Sequence, residues 1–185
     1  MELIERFSQS SKHTCQFVTF KGLIDLINGC GTPNVNRNRR FFFWLFLKDR
    51  LNTRGMLRRR NMFLDSYTCE NCILQREETQ YHLFFKCSFA RQCWNKIGLS
   101  PPRSSSPEVA TARLKSQIQN AFSMEIIILM IWSIWKCRNG WIFQNIPPTI
   151  QDCFRIFSTE LRHLEHRVKN NIALDIHSWL QLFPP

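Results

Sequence analysis

Cys69-Glu70-Asn71-Cys72-Ile73-Leu74-Gln75-Arg76-Glu77-Glu78-Thr79-Gln80-Tyr81-His82-Leu83-Phe84-Phe85-Lys86-Cys87 is the stretch on which the reading of this chain turns. Its pattern is C-x2-C, nine residues, His, four residues, Cys. A two-residue gap lets a tight turn aim both sulfurs of Cys69 and Cys72 at one point. Glu77 and Glu78 favour the start of a helix, where carboxylates meet the positive end of its dipole. That helix would carry His82 and leave Cys87 just past its end, closing a fourth corner. Three thiolates and a neutral imidazole suit an ion whose filled d-shell tolerates an imposed tetrahedron, so one structural Zn²⁺ held by Cys69, Cys72, His82 and Cys87 is expected. Four protein ligands leave no open position for activated water, so catalysis by the metal is not expected. The competing reading is a set of scattered buried thiols and a surface histidine. Cys93 is the nearest alternative ligand, but it falls on the apolar face of its helix, where core packing explains it. Cys15, Cys30, Cys137 and Cys153 are isolated and read as core or incidental. His163 and His166 share a helix face without a third ligand nearby in sequence.

Working outward towards the N-terminus, the apolar run Phe41 to Leu47 followed by Lys48-Asp49-Arg50-Leu51 predicts a helix over Phe41–Leu51, buried on most faces. Thr53 is an N-cap for a short helix, Arg54–Arg60, with Met56 and Leu57 facing inward. Arg54 and Arg58 share a face of that helix, and Arg59 and Arg60 continue it. Two readings compete for these cations: guanidinium groups placed for phosphate oxygens, or a solvated surface. Residues 1–36 read as a linker or poorly ordered arm, with turn chemistry at Asn28-Gly29-Cys30-Gly31-Thr32-Pro33.

Towards the C-terminus, Ser88 can cap a helix over Phe89–Ile97 with Phe89, Cys93, Trp94 and Ile97 inward. Leu99-Ser100-Pro101-Pro102-Arg103-Ser104-Ser105-Ser106-Pro107 breaks both periodicities and is the clearest boundary. It divides a domain over 37–98 from a helical segment over 108–185, with 99–107 as linker. About three helices are expected beyond it. Val109–Phe122 places Leu114, Ile118 and Ala121 on one face, and Met124–Phe143 carries an Ile-rich run and three tryptophans. The last is capped by Thr149 with Asp152 as its capping-box partner. Its apolar residues Phe154, Phe157, Leu161, Leu164 and Val168 form a seam for packing on the Trp-rich helix. The fold class is therefore mainly α: a small helical zinc-binding domain with a Cys-Cys-His-Cys ligand set, followed by a helical segment.

With 44% apolar residues, including sixteen Phe and six Trp, the 185-residue chain can bury a core. The net charge of +11 is uneven: Arg37 to Arg60 holds nine basic residues and one acidic, a net +8 in twenty-four positions. That imbalance favours an acidic partner over a merely solvated face. The opening Met1 to Ser11 lacks the pattern of a signal peptide, and eight cysteines without one suggest reduced thiols. An intracellular setting, nucleus or cytoplasm, is expected. The longest apolar run, Ile126 to Trp135, is too short for a bilayer, so no membrane is expected as partner.

Phe43-Trp44, Asp49-Arg50-Leu51, Thr53, Leu57 and Arg60, then Cys69, Cys72, Glu78-Thr79, His82-Leu83-Phe84, Cys87, Ala90-Arg91 and Trp94 together resemble the reverse transcriptase zinc-binding domain. That domain follows the polymerase in the non-LTR (LINE-type) retrotransposons abundant in plant genomes. The resemblance covers about residues 40–97 well. Over 125–170 it is looser, carried by Ile131-Trp132-Ser133-Ile134-Trp135-Lys136-Cys137-Arg138-Asn139 and Ile142-Phe143. It implies Cys69, Cys72, His82 and Cys87 as zinc ligands and a domain that helps a reverse transcriptase grip RNA or target DNA. The departures are equally clear. No Tyr-x-Asp-Asp polymerase motif occurs, and no two Asp residues are adjacent, so paired carboxylates for phosphoryl transfer are lacking. Residues 1–36 do not follow the pattern expected ahead of the domain, and no endonuclease or ribonuclease H segment is recognisable. The chain looks like this domain separated from its polymerase, and no enzymatic activity is expected.

The leading expectation is a zinc-stabilised, non-catalytic module that binds RNA or DNA without base specificity. Arg50, Arg54, Arg58, Arg59 and Arg60 would contact phosphates and Tyr81 would stack on bases. Two alternatives stay open. One is a protein-interaction module with a purely structural zinc, docking a partner through the helices after Pro107. The other is a retroelement remnant without selected activity.

Overall fold

Asn36 starts the first helix, α1 (Arg37–Leu47), by accepting a hydrogen bond from the Arg39 N–H at 3.0 Å. A computed structural model describes residues 34–72, 74–102 and 106–183 of the chain. Most of the expected N-terminal arm lies outside those residues. Its end is ordered: Val35 is buried, and the Asn34 N–H donates to the Glu125 carboxylate at 2.9 Å. Helix α1 begins four residues earlier than its apolar run suggests, because Arg37–Arg40 form its first turn. It also stops at Leu47, where Asp49 adopts a left-handed conformation (φ 49°), so Leu51 is buried outside the helix.

Thr53 caps α2 (Arg54–Arg59), its hydroxyl accepting from the Met56 N–H at 3.2 Å. Met56 and Leu57 are only half-buried; the buried residue of this helix is Gly55. The Gly55 N–H donates to the Glu78 carbonyl at 3.0 Å, and a Cβ built on Gly55 would lie 2.9 Å from that same oxygen. Gly→Ala inside a helix ordinarily gains up to about 1 kcal/mol. Here the contact is backbone against backbone and neither side can swing away. Gly55→Ala is therefore expected to destabilise by about 1–3 kcal/mol, measured as a lower urea midpoint with unchanged slope.

A π-turn, His82–Lys86, runs directly into α3 (Ser88–Lys96). The residue at the cap of α3 is Cys87, with Ser88 already helical. Phe89, Cys93, Trp94 and Ile97 are all buried, as their spacing indicates. Gly98 (φ 72°) ends α3: its N–H donates to the Asn95 carbonyl and that of Leu99 to the Trp94 carbonyl, the paired hydrogen bonds of a glycine-terminated helix.

The remaining helices are α4 (Pro107–Gln117), α5 (Ser123–Gln144), α6 (Ile150–Glu165) and α7 (Asn170–Gln181). Helix α4 ends at Gln117 because Ile118 turns extended; Leu114 is buried, Ile118 half-buried and Ala121 exposed. The Thr149 hydroxyl accepts from the Asp152 N–H at 3.0 Å, giving the expected cap of α6. Phe154, Phe157, Leu161 and Leu164 are buried along the seam, while Val168 lies past the helix end and is half-buried. Helix α7 is an addition to the expected set; Trp179 on it packs edge-on to Phe122 and Phe157.

Helix α5 is the axis of the core. Thirteen of its residues between Ser123 and Arg138 are buried, and α1, α3, α4 and α6 pack against it. Its length and composition suffice for a membrane span, longer than its apolar run alone suggests. Apolarity on every side is equally the signature of a helix enclosed by protein, and α5 also buries Glu125, Ser133 and Arg138. The protein is thus mainly helical. No strand occurs among the described residues, only an isolated antiparallel bridge between Thr68 and Glu77. Helices on either side of the Pro/Ser stretch share one core.

Candidate metal centre

The first two thiols sit on a short hairpin. Its arms are tied by the Cys69 N–H donating to the Arg76 carbonyl (2.8 Å) and the Glu78 N–H donating to the Tyr67 carbonyl (2.9 Å). Between them the chain reverses: Cys72 N–H donates to the Cys69 carbonyl, Gln75 N–H to the Cys72 carbonyl, and Gln75 takes a positive φ of 44°. Thr79 then opens the next turn by accepting from the His82 N–H at 3.1 Å.

The spacing of His82 and Cys87 depends on the π-turn. In an α-helix of 3.6 residues per turn, side chains five apart point roughly 140° away from each other. The Cys87 N–H instead donates to the His82 carbonyl at 2.7 Å, an i→i−5 bond that brings the two side chains to one side. The enlarged turn is held from outside, since the Trp94 indole N–H donates to the Phe84 carbonyl (2.9 Å) and Phe84 and Phe85 pack on Phe46.

The structure gathers one ligand atom each from Cys69, His82 and Cys87, all mutually within 4.8 Å and all on buried residues. The Cys69 and Cys87 sulfurs are 3.9 Å apart, and the Cys87 sulfur lies 3.4 Å from the Asn71 carbonyl oxygen. Cys72 is buried three residues along the same hairpin, but its sulfur is outside that mutual 4.8 Å group. Cys87 is held well below the usual thiol range, first by the Cys69 thiol, and also by His82 and the N–H groups of Ala90 and Phe89 at the start of α3. Cys69 is pushed far up, chiefly by the Cys87 sulfur and by burial. Two adjacent buried sulfurs thus cannot both ionise unless a cation joins them.

These donors fit a metal ion. Besides the sulfurs, the His82 Nε2 is buried with no hydrogen-bond partner. Cys69, His82 and Cys87 would hold the ion, with Cys72 the neighbouring fourth donor. A bound Zn²⁺ would supply the positive charge that keeps both sulfurs as thiolates.

Glu78, expected to favour its own helix start, does something different. Its side chain is wholly buried, and Oε1 accepts from the backbone N–H of Arg54 (2.8 Å), the first residue of α2. Arg138 on α5 donates to both Glu78 oxygens, at 2.7 and 3.2 Å. The Arg138 guanidinium also lies 4.9 Å from the centre of the Trp135 ring. One carboxylate therefore joins the hairpin, the basic helix α2 and the core helix α5. Nothing local in sequence signals this pair, whose partners are 60 residues apart.

The basic residues divide into two kinds. Arg54 is a structural tie, donating to the Thr68 carbonyl (2.9 Å) and Glu70 (2.6 Å) on the hairpin. Arg50, Arg58, Arg59 and Arg60 are exposed. Arg58 pairs with Glu77 at 3.7 Å, Arg59 with Asp49 at 2.6 Å, and Arg60 donates to Asn52 at 3.1 Å. Tyr81 is not the open stacking face expected of it. Its hydroxyl donates to the Pro102 carbonyl (2.7 Å), its ring packs on Phe85, and the Lys86 ammonium lies 5.1 Å from the ring centre. Cys93, read as core, is buried on α3 and interacts with Cys153 of α6, which also meets Cys137 of α5. His163 and His166 are exposed and belong to no metal-type cluster among the described residues.

A hairpin with two cysteines, then a turn carrying His and Cys, fits a zinc-binding type of module in a helical protein. Residues 24–94 match the family model described as zinc-binding in reverse transcriptase, so the chain is similar to that family over this span. The match reaches further upstream than the resemblance carried by residues 40–97. No curated protein and no solved structure matches the chain.

Proposed function

We propose that this protein is a non-catalytic nucleic-acid-binding module in which one structural zinc, on Cys69, Cys72, His82 and Cys87, fixes a basic helix for phosphate contact. We read it as the zinc-binding domain of a plant LINE-type reverse transcriptase standing apart from its polymerase, working inside the cell. The observation that carries this reading is the docking of α2 on the hairpin that carries Cys69 and Cys72. Gly55 and Arg54 bind the hairpin backbone, and Arg50, Arg58, Arg59 and Arg60 are left facing solvent.

Magnitudes support phosphate contact. The Arg58 and Arg59 side chains are more than half exposed, and surface ion pairs of that kind contribute only about 0–1 kcal/mol. They can be exchanged for phosphate oxygens at little cost. Single-stranded RNA and DNA titrated by fluorescence anisotropy should bind with a dissociation constant of roughly 1–100 μM, weakening steeply with salt. Changing Arg58, Arg59 and Arg60 together to Glu should abolish most binding and flatten the salt slope by about 0.7 for each phosphate no longer neutralised. Wild-type protein that binds neither strand at low salt would sink the reading.

A protein-docking role keeps one observation of its own: Phe143, Ile146, Leu174 and Leu182 are exposed in the C-terminal helical region. The same triple-Glu variant separates the two, because a partner docked on that region should still bind it.

A further inference from the structure

Tyr81 is engaged by Pro102 and Phe85, yet another aromatic side chain stands fully open beside the basic helix. Phe63 is 97% exposed and is flanked by exposed Met62 and Leu64. Three consecutive large apolar residues in water forfeit burial free energy and are unusual on a surface unless they meet something. The loop that carries them is built rather than slack. Asn61 takes a left-handed conformation (φ 56°), the Met62 N–H donates to the Leu57 carbonyl (3.1 Å), and the Asn61 N–H donates to the Arg58 carbonyl (3.0 Å). Tyr67 braces it from behind: its hydroxyl donates to the Met62 carbonyl (2.9 Å) and accepts from the Leu64 N–H (3.4 Å). The Arg58 guanidinium sits over the Tyr67 ring at 5.6 Å, joining the brace to the basic helix.

We propose that Phe63 is a base-stacking side chain, presented to unpaired bases of a single strand while Arg58, Arg59 and Arg60 hold the adjoining phosphates. The proposal rests on the nucleic-acid reading above and adds to it a contact to the bases and a preference for unpaired strands. Charge selects this occupant. Three arginines immediately precede the loop in sequence, and Asp65 is the one acidic residue among positions 58–65. A polyanion that also offers flat apolar faces is single-stranded nucleic acid.

The test uses the full chain, wild type and Phe63→Ala and Phe63→Trp, with a single-stranded oligonucleotide and an abasic strand of equal length. Folding of each variant is checked by circular dichroism. Phe63→Ala should weaken binding to the base-bearing strand roughly 5–150-fold with an unchanged salt slope, and Phe63→Trp should keep it. On the abasic strand, wild type and Phe63→Ala should bind alike. Equal binding of wild type and Phe63→Ala to the base-bearing strand overturns the stacking role while leaving the phosphate reading intact. An equal loss on the abasic strand also overturns it, since the side chain would then not be meeting bases. No binding by wild type at low salt removes both readings.

Discussion

Removing the metal with a strong chelator is expected to abolish the cooperative thermal transition of this protein, not merely to lower it slightly. Cys69, Cys72, His82 and Cys87 are all buried, and two of the sulfurs are 3.9 Å apart. Without a cation, one of those sulfurs must stay protonated and the buried His82 Nε2 stays unpartnered. Structural zinc contributes on the order of 10–16 kcal/mol in small zinc-binding peptides. The whole stability of a domain is about 5–15 kcal/mol, so losing even part of the metal contribution decides folding. His82→Ala and Cys69→Ser should behave like the chelated protein when melted by circular dichroism. Cys72→Ser is the informative variant because its sulfur stands outside the tight group of three. An effect as large as that of His82→Ala makes Cys72 the fourth ligand. A melting curve indifferent to chelator would contradict the structural role of the ion.

The second large effect is expected at the buried pair of Glu78 and Arg138. Arg138→Met strands a carboxylate with no exposure, and Glu78→Gln strands a guanidinium that is 5% exposed. Breaking such a pair from one side costs about 3–5 kcal/mol, because the remaining charge is buried and uncompensated. For a chain of this size that corresponds to a fall of about 6–20 °C in Tm. Replacing both residues together should cost far less than the two single losses combined, since no charge is then left buried. In the double variant the glutamine amide oxygen can still accept from the Arg54 N–H, so the contact to the start of α2 is kept. Urea unfolding of the three variants gives this cycle directly. Single variants within about 0.5 kcal/mol of wild type would show that the pair does not hold hairpin and core together.

How much of the molecule is legible in its sequence follows the range of the interactions involved. Cys69 and Cys72 are joined by a turn, and Thr149 caps its own helix, so spacing and residue type reveal both. The meeting of His82 with Cys87 is legible as a pattern but not as geometry. It needs a π-turn whose Phe84 carbonyl is bound by the Trp94 indole ten residues later. Local dipole logic assigns Glu78 to its own helix, while the partner that buries it stands on α5. Tyr81 reads as open because nothing nearby in sequence announces the Pro102 carbonyl that holds its hydroxyl. The exposure of Phe63 has no local signal in sequence and is seen only in the fold. The extents of α1 and α4 differ from their apolar patterns where polar first turns or a single extended residue, Ile118, set the ends.

The basic helix, the hairpin and the core helix are connected through Gly55, Arg54, Glu78 and Arg138, so under the proposed function chelator treatment should weaken nucleic-acid binding as well as stability.

Zinc content per folded chain, read by native mass spectrometry on protein purified without chelator, is the most direct measurement. One zinc per chain, lost on His82→Ala, is expected. A folded, metal-free chain would contradict the zinc centre.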